Sequence, residues 1–237
     1  MNIIKPYARL LPPPGSNLPD FTRFDGLDLL ARVEWAARIS HRSEEAVTSD
    51  SWDRFLRSVV LQHGDWSVVE HASVSVDFYV DRGVTHELVR HRLFAFTQES
   101  SRFVNYAKKM PPSFVQPELS DDAHRASNGE ATELSQRQQW SHAINTAEAC
   151  YRHLVASGVS PQIARSVFPN ALASRIIVTG NLRNWRHFLN LRVTKESHPQ
   201  MREVTIPLLK EFQNKIPILF EDIVPLCSQR EAMSRAR

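Results

Sequence analysis

The stretch ASVSVDFYVDRGVTHELVRHR, residues 72–92, changes its hydrophobic period midway, and that change decides how the fold is read. Val74, Val76, Phe78 and Val80 alternate with Ser73, Ser75, Asp77 and Tyr79. Successive side chains of a strand point to opposite faces, so the alternation predicts a half-buried β-strand. Asp81-Arg82-Gly83 is expected to turn the chain. THELVRHR then reads as a short helix ending in three adjacent groups that are, or can become, cationic, and SRFVNYA, residues 101–107, reads as a second strand. The basic triplet Arg90-His91-Arg92 is thereby placed between a helix and a sheet.

Outward from this stretch the helical period dominates. Leu29, Leu30, Val33 and Ala37 predict a helix from Gly26 to Ile39, and Trp52, Phe55, Leu56, Val59 and Val60 a second one from about Asp50, closed by Gly64. The first 20 or so residues contain Pro12, Pro13 and Pro14, which lack amide donors, and are expected to form an extended arm. Residues 111–129 have loop composition. A long helix is expected from about Glu130 to Ser157, stopped by Gly158, and Ser160-Pro161 opens a short helix carrying Arg165. ASRIIVTG, residues 173–180, reads as a strand, Asn181 caps the helix that follows, and a last helix spans about Pro199 to Lys215. The pattern is that of an α+β (mixed α/β) chain, and no linker divides residues 1–237 into separate domains.

Composition narrows the function classes. At 237 residues and 42% hydrophobic content the chain can bury one substantial core. No run approaches the roughly 18–20 apolar residues of a membrane span, and the start lacks a signal peptide's apolar core, so a cytoplasmic location is expected. A net charge of +3 is only mildly basic. Cys150 and Cys227 lie far apart without a CxxC or Cys/His spacing, which points to reduced, structural thiols. His63 with His71, and His86 with His91, lack a metal-ligand spacing, so no metal site is expected.

Two clusters carry the chemistry. Arg90, His91, Arg92 and Arg102 lie near Ser100 and Ser101, with Gln98 and Glu99 between them. Guanidinium groups grip phosphates bidentately and hydroxyls donate to the same oxygens, so the mixture suits a nucleotide phosphate. A solvated basic helix end partnered by Glu87 or Glu99 is the competing reading. In NLRNWRHFLNLR, residues 181–192, Asn181, Trp185, Phe188 and Arg192 fall near one helical face. Trp185 and Phe188 are expected in the core, which leaves Arg192 to be explained. No P-loop, GxGxxG or GxSxG occurs, so side chains rather than a glycine cradle must hold any phosphate.

These residues resemble a known family. Arg90-His91-Arg92, seven residues and then Ser100 is similar to the RHR-x7-S signature of the flavin-dependent thymidylate synthases. WSVVEHASVSVDFYV resembles that family's Glu-His segment entering a strand. IARSVFPNALASRIIVTGNLRNWRHFLNLR resembles the second half of its site. The likeness spans about residues 60 to 205. Thr97-Gln98 stands where many relatives have Asn-Glu, with Glu99 one place nearer the serine, so either Gln98 or Glu99 is left as the nucleotide contact. Phe103 replaces a frequent Tyr, and Asp65 a frequent His.

The resemblance implies a central, mostly antiparallel sheet flanked by helices, and a homotetramer with sites between subunits. It implies conversion of dUMP to dTMP with 5,10-methylenetetrahydrofolate as carbon donor and NADPH-reduced FAD as hydride source. By motif position, Arg90, His91 and Arg92 contact FAD, together with Ser67, Asn181, Leu182, Arg183 and His187. Arg90 is shared with dUMP, which is also held by Glu87, Leu88, Val89, Gln98, Glu99, Ser100, Ser101, Arg102 and Arg165. Arg192 contacts dUMP in the activating role: a fixed guanidinium can stabilise charge developing on the uracil ring without losing its own proton. No covalent nucleophile is then needed, and neither cysteine sits beside a sequence neighbour that would activate it. Two other classes use the same residues. A nucleic-acid surface would set its arginines in a continuous stripe, whereas here acidic residues intervene, and a histidine metallohydrolase would need the missing ligand spacing.

Overall fold

In chain order the elements are β1 (Asn2–Ile4), β2 (Tyr7–Leu10), α1 (Leu27–Ile39), α2 (Ser51–Leu56), β3 (Ser73–Asp81), α3 (Arg82–Leu88), β4 (Ala95–Gln98), β5 (Ser113–Val115), β6 (Ala123–Arg125), β7 (Ala131–Ser135), α4 (Gln136–Ala156), α5 (Pro161–Ala164), β8 (Ala173–Asn181), α6 (Leu182–Arg192) and α7 (Pro199–Lys215). They are seen in a computed structural model that describes residues 1–11, 26–108, 110–121, 123–125 and 131–225. The result is a mixed α/β fold with an antiparallel sheet flanked by helices, its four strands ordered β2-β3-β8-β4. Two compact units are distinguished: Tyr7–Phe78 with Leu88–Thr97 and Ile176–Arg237, and Met1–Pro6 with Tyr79–Glu87 and Gln98–Arg175. Among the described residues no helix is long and apolar enough to cross a membrane.

In the first unit, Val74, Val76 and Phe78 are buried as the alternation predicts. Asp77, expected on the polar face, is also fully buried, because the Arg9 side chain on β2 pairs with its carboxylate at 3.0 Å. A carboxylate removed from water needs such a partner. Helix α6 packs Trp185 and Phe188 into the core beside Phe78, and Trp185 Nε1–H donates to the Val74 carbonyl at 3.1 Å. The rings of Phe212 on α7 and Phe94 lie 5.6 and 4.7 Å from Trp185. Helix α7 spans the residues the sequence predicts. The helix begun by α2 continues as a π-helical turn, Arg57–Gln62, and ends at Gly64, whose φ of +84° suits glycine.

The second unit has its own core of Tyr106, Phe114, Ile144, Tyr151, Ala164 and Leu172. Tyr151 stacks on Phe168 at 4.6 Å. Helix α4 starts at Gln136 rather than near Glu130, because Ser135 and Gln138 form a reciprocal capping box. The expected loop at 111–129 contains two short strands. β5 pairs in parallel with β1, and β6 pairs with β7. Of the expected extended arm, residues 1–11 supply β1 and β2, while residues 12–20 lie outside the described residues.

Three local expectations are corrected. Asp81-Arg82-Gly83 does not form a free turn: Asp81 Oδ1 accepts the Val84 amide at 2.8 Å and α3 starts directly at Arg82. That helix ends at Leu88 instead of running through Arg92, since the chain turns to seat the Phe94 ring against Trp185. The second strand is Ala95–Gln98, not 101–107. The amides of Phe103 and Val104 both donate to the Ser100 carbonyl, closing a turn where a ladder was expected.

A Cβ placed on Gly180 of β8 would collide with the Phe94 ring. Gly180→Ala is therefore expected to lower unfolding stability by about 1–3 kcal/mol, the usual cost of overpacking. Urea unfolding checks this, and an unchanged midpoint would show that Phe94 has room to move.

Candidate active site

In the first unit, the turn after α3 and one face of α6 enclose a cavity of about 190 Å³ lined by Arg90, His91, Arg92, Leu93, Phe94, Asn184 and His187. Asn181 makes this face possible. Its Oδ1 accepts the Asn184 amide at 2.8 Å, capping α6 as predicted. Asn184 in turn donates its side-chain N–H to the Leu93 carbonyl at 3.1 Å, tying the helix to the turn.

The electrostatics of the basic triplet differ from the sequence picture of three like charges. Arg192, the last residue of α6, donates Nε–H to His91 Nε2 at 2.9 Å. An imidazole that accepts at Nε2 carries its proton on Nδ1 and is neutral. Burial, followed by the charges of Arg192 and His187, pulls His91 from the ordinary 6.5 down to about 4. The flanking Arg90 and Arg92 are exposed, and among the described residues neither has a hydrogen-bonding or ion-pair partner. The turn thus presents two unneutralised guanidinium groups around a small cavity, a donor set suited to phosphate oxygens.

The other first-unit residues are more dispersed. Arg183 pairs with Glu70 on the surface, and Leu182 is buried with its amide bonded to the Ala72 carbonyl. Leu88 is likewise buried, so only its backbone is available, whereas Val89 is exposed. Ser67 does not line the Arg90–His187 cavity. It lies on the turn Trp66–His71 and lines a cavity of about 550 Å³ with Arg38, His41, His63 and Asp65. Sequence reasoning did not pick out Asn184, Leu93 and Phe94, although the i, i+3 spacing of Asn184 and His187 on α6 places them on one face.

In the second unit, most of Gln98 to Arg102, with Arg165, is held by separate side-chain hydrogen bonds. Gln98 Nε2 donates to Thr85 Oγ1 at 3.1 Å and to Ser174 Oγ at 3.0 Å, so its donors serve the fold and only Oε1 remains. Glu99 Oε1 accepts the Tyr106 hydroxyl at 3.0 Å. Burial first, and then the Glu99 charge, push the Tyr106 hydroxyl well above the usual tyrosine range, so it stays a donor. Arg165 Nη1 donates to Ser101 Oγ at 2.7 Å. Ser100 Oγ lies 3.4 Å from the Arg102 amide, and Arg102 itself is exposed. Glu87 is half-buried in this unit. Among the described residues no group of three or more His, Cys, Asp or Glu is placed to hold a metal ion.

A family model described as "Thymidylate synthase complementing protein" matches residues 27–218. The chain is 35% identical over 225 residues to a flavin-dependent thymidylate synthase of Mycobacterium tuberculosis, covering 90% of this chain and 85% of that protein. A flavin-dependent thymidylate synthase of Mycolicibacterium gilvum is 34% identical over 209 residues, covering 81% of this chain and 78% of that one. Among solved structures, a UMP/dUMP methylase, PolB, from Streptomyces cacaoi bound with 5-Br dUMP superposes with a TM-score of 0.69. It is 24% identical, with 93% of this chain and 96% of that chain covered, a likeness that bears on the fold.

Because the folded protein holds His91 neutral, the unfolded chain takes up a proton there first as pH falls. Stability contributed at this site is complete above about pH 6.5 and declines toward about pH 4. Urea unfolding at pH 7.5, 5.5 and 4.5 is expected to show a shallower loss for His91→Gln than for the parent protein. Identical slopes would mean that His91 titrates normally in the folded state.

Proposed function

The chain belongs to the flavin-dependent thymidylate synthase family, and from that premise we propose that it methylates dUMP to dTMP, with 5,10-methylenetetrahydrofolate as carbon donor, NADPH as reductant and FAD as resident cofactor. The observation that supports this most directly is the pair Arg90 and Arg92, unneutralised beside a cavity into which α6 brings His187 and Asn184. Two free guanidiniums, an imidazole and a carboxamide fit the anionic part of FAD. At about 190 Å³ the cavity admits a portion of such a molecule, since whole-ligand sites run to about 300–1,000 Å³. Ser67, Asn181, Leu182 and Arg183 complete the proposed flavin contacts. When bound, the cofactor supplies the hydride chemistry.

The remaining steps fall to the protein's own side chains. Arg102, Ser100, Ser101 and Arg165 bind dUMP oxygens, with Glu87, Leu88, Val89 and Arg90 completing the nucleotide contacts. Gln98 reaches the nucleotide only through Oε1, whereas Glu99 keeps its second carboxylate oxygen, Oε2. Arg192 stabilises negative charge spreading over N3 and the carbonyl oxygens of the uracil ring, which makes C5 nucleophilic without a covalent enzyme intermediate. Cys150 is exposed on α4, and Cys227 lies outside the described residues. The proposal further takes residues 1–237 as one catalytic domain that acts as a cytoplasmic homotetramer on small molecules, not on nucleic acid or membrane.

With FAD, dUMP, methylenetetrahydrofolate and NADPH supplied, Arg192→Ala is expected to lower dTMP formation about 10²–10³-fold, the scale of removing one charge-stabilising donor, and to keep its flavin. Flavin lost together with activity would make Arg192 a cofactor ligand instead. Arg90→Ala is expected to weaken both FAD and dUMP binding about ten- to a hundredfold, the worth of a charge-assisted hydrogen bond. Equilibrium titration of each ligand reads this, and unchanged affinity for both would remove the shared role.

A further inference from the structure

The hydrogen bond between Arg192 and His91 links the proposed activating group to the middle of the Arg-His-Arg triplet. A free arginine side chain samples many rotamers, and ordering it costs conformational freedom. Here both ends of Arg192 are held. Its carbonyl accepts the Thr205 hydroxyl of α7 at 2.9 Å, and its Nε–H is donated to His91, so the bond to His91 takes neither terminal Nη group. His91 is itself fixed, its ring edge-on to Phe188 at 4.9 Å and to Phe94 at 6.4 Å. Phe188 is buried in the core of the same unit. A mechanical line therefore runs from the core through Phe188 and His91 to the Arg192 guanidinium.

We propose that His91 is a positioning residue for Arg192, acting as a neutral, Nδ1-protonated imidazole whose Nε2 lone pair orients the guanidinium that activates the pyrimidine. This rests on the reading of Arg192 given above. The charged and titratable groups facing His91 are Arg90 and Arg92 in its own turn, with Arg192 and His187 from α6. All of them oppose an imidazolium, and among the described residues no carboxylate pairs with it. A doubly protonated ring would have no lone pair left for Nε–H and would add a fourth charge to the cluster. The triplet therefore works as two cations around an acceptor, not as three cations.

The test is histidine-selective ¹⁵N NMR on the full-length, FAD-loaded protein, with the His91 signals assigned by their absence in His91→Gln. At pH 7 the expected result is a neutral ring protonated on Nδ1, with an Nε2 resonance that shifts when Arg192 is replaced by Met. A ring protonated on both nitrogens, or on Nε2 alone, overturns the proposal, as does an Nε2 signal indifferent to Arg192→Met. The resonance is read whether or not dTMP forms, so failure of the functional reading and failure of this one are told apart. Kinetics supply a second arm. His91→Leu, without an acceptor, is expected to lower kcat about ten- to a hundredfold, the worth of a hydrogen bond to a charged group, with KM for dUMP near that of the parent. His91→Gln, whose Oε1 can accept, is expected to recover most of that loss. Equal losses in the two variants, or flavin release as the sole defect, contradict the positioning role.

Discussion

The indole N–H of Trp185 donates to the carbonyl of Val74, and this buried bond keys α6 to the long strand β3 at one register. A helix turns about 100° per residue, so a one-residue slip would carry Asn184 and His187 away from the cavity and Arg192 away from His91. The ring of Phe188 one turn further on reinforces the same register from within the core, and Asn181 fixes where the helix starts. A residue that looks like ordinary core in the sequence is what orients the polar face that lines the cavity.

The basic triplet then acquires a distribution of charge that its composition conceals. Three adjacent cations repel one another strongly wherever water is thinned. Among the described residues no carboxylate pairs with Arg90 or Arg92. The protein keeps the middle residue neutral and turns that residue into the acceptor for an arginine 101 positions later. The outer two remain available to an anionic ligand, which is the arrangement a phosphate-bearing cofactor or nucleotide requires. In the second unit the opposite strategy is used. Gln98, Glu99, Ser101 and Arg165 are engaged by Thr85, Ser174, Tyr106 and one another, so that part of the candidate site is already ordered by the fold.

The long periodic elements were legible in the sequence because their hydrophobic faces repeat. The alternation of β3, the stripe of α1, the Asn181 cap and the full span of α7 could all be read from residue type and spacing. Strands β5 and β6 could not, since three residues are too few to show a period, and β5 follows two prolines. The Ser135-Gln138 capping box was present to be read, and it would have placed the start of α4 correctly. The end of α3 and the position of β4 depended on the burial of Phe94 against Trp185, a contact between residues 91 positions apart. Of the candidate site, the arginines were visible from their motif, but the state of His91 was not. It depends on the end of α6, which only the folded chain brings to it. Ser67, grouped with the flavin contacts by resemblance, lines a cavity of its own, and nothing in its sequence neighbourhood signals this.

The central claim is that these residues build a flavin site at which dUMP is methylated. It is tested most directly by the absorbance spectrum of the purified, FAD-loaded protein, followed anaerobically as NADPH is added with and without dUMP. The account predicts bound flavin whose oxidised bands bleach on NADPH addition, and faster when dUMP is present. A protein that stays colourless and binds no added FAD would contradict it and return Arg90 and Arg92 to some other anionic partner.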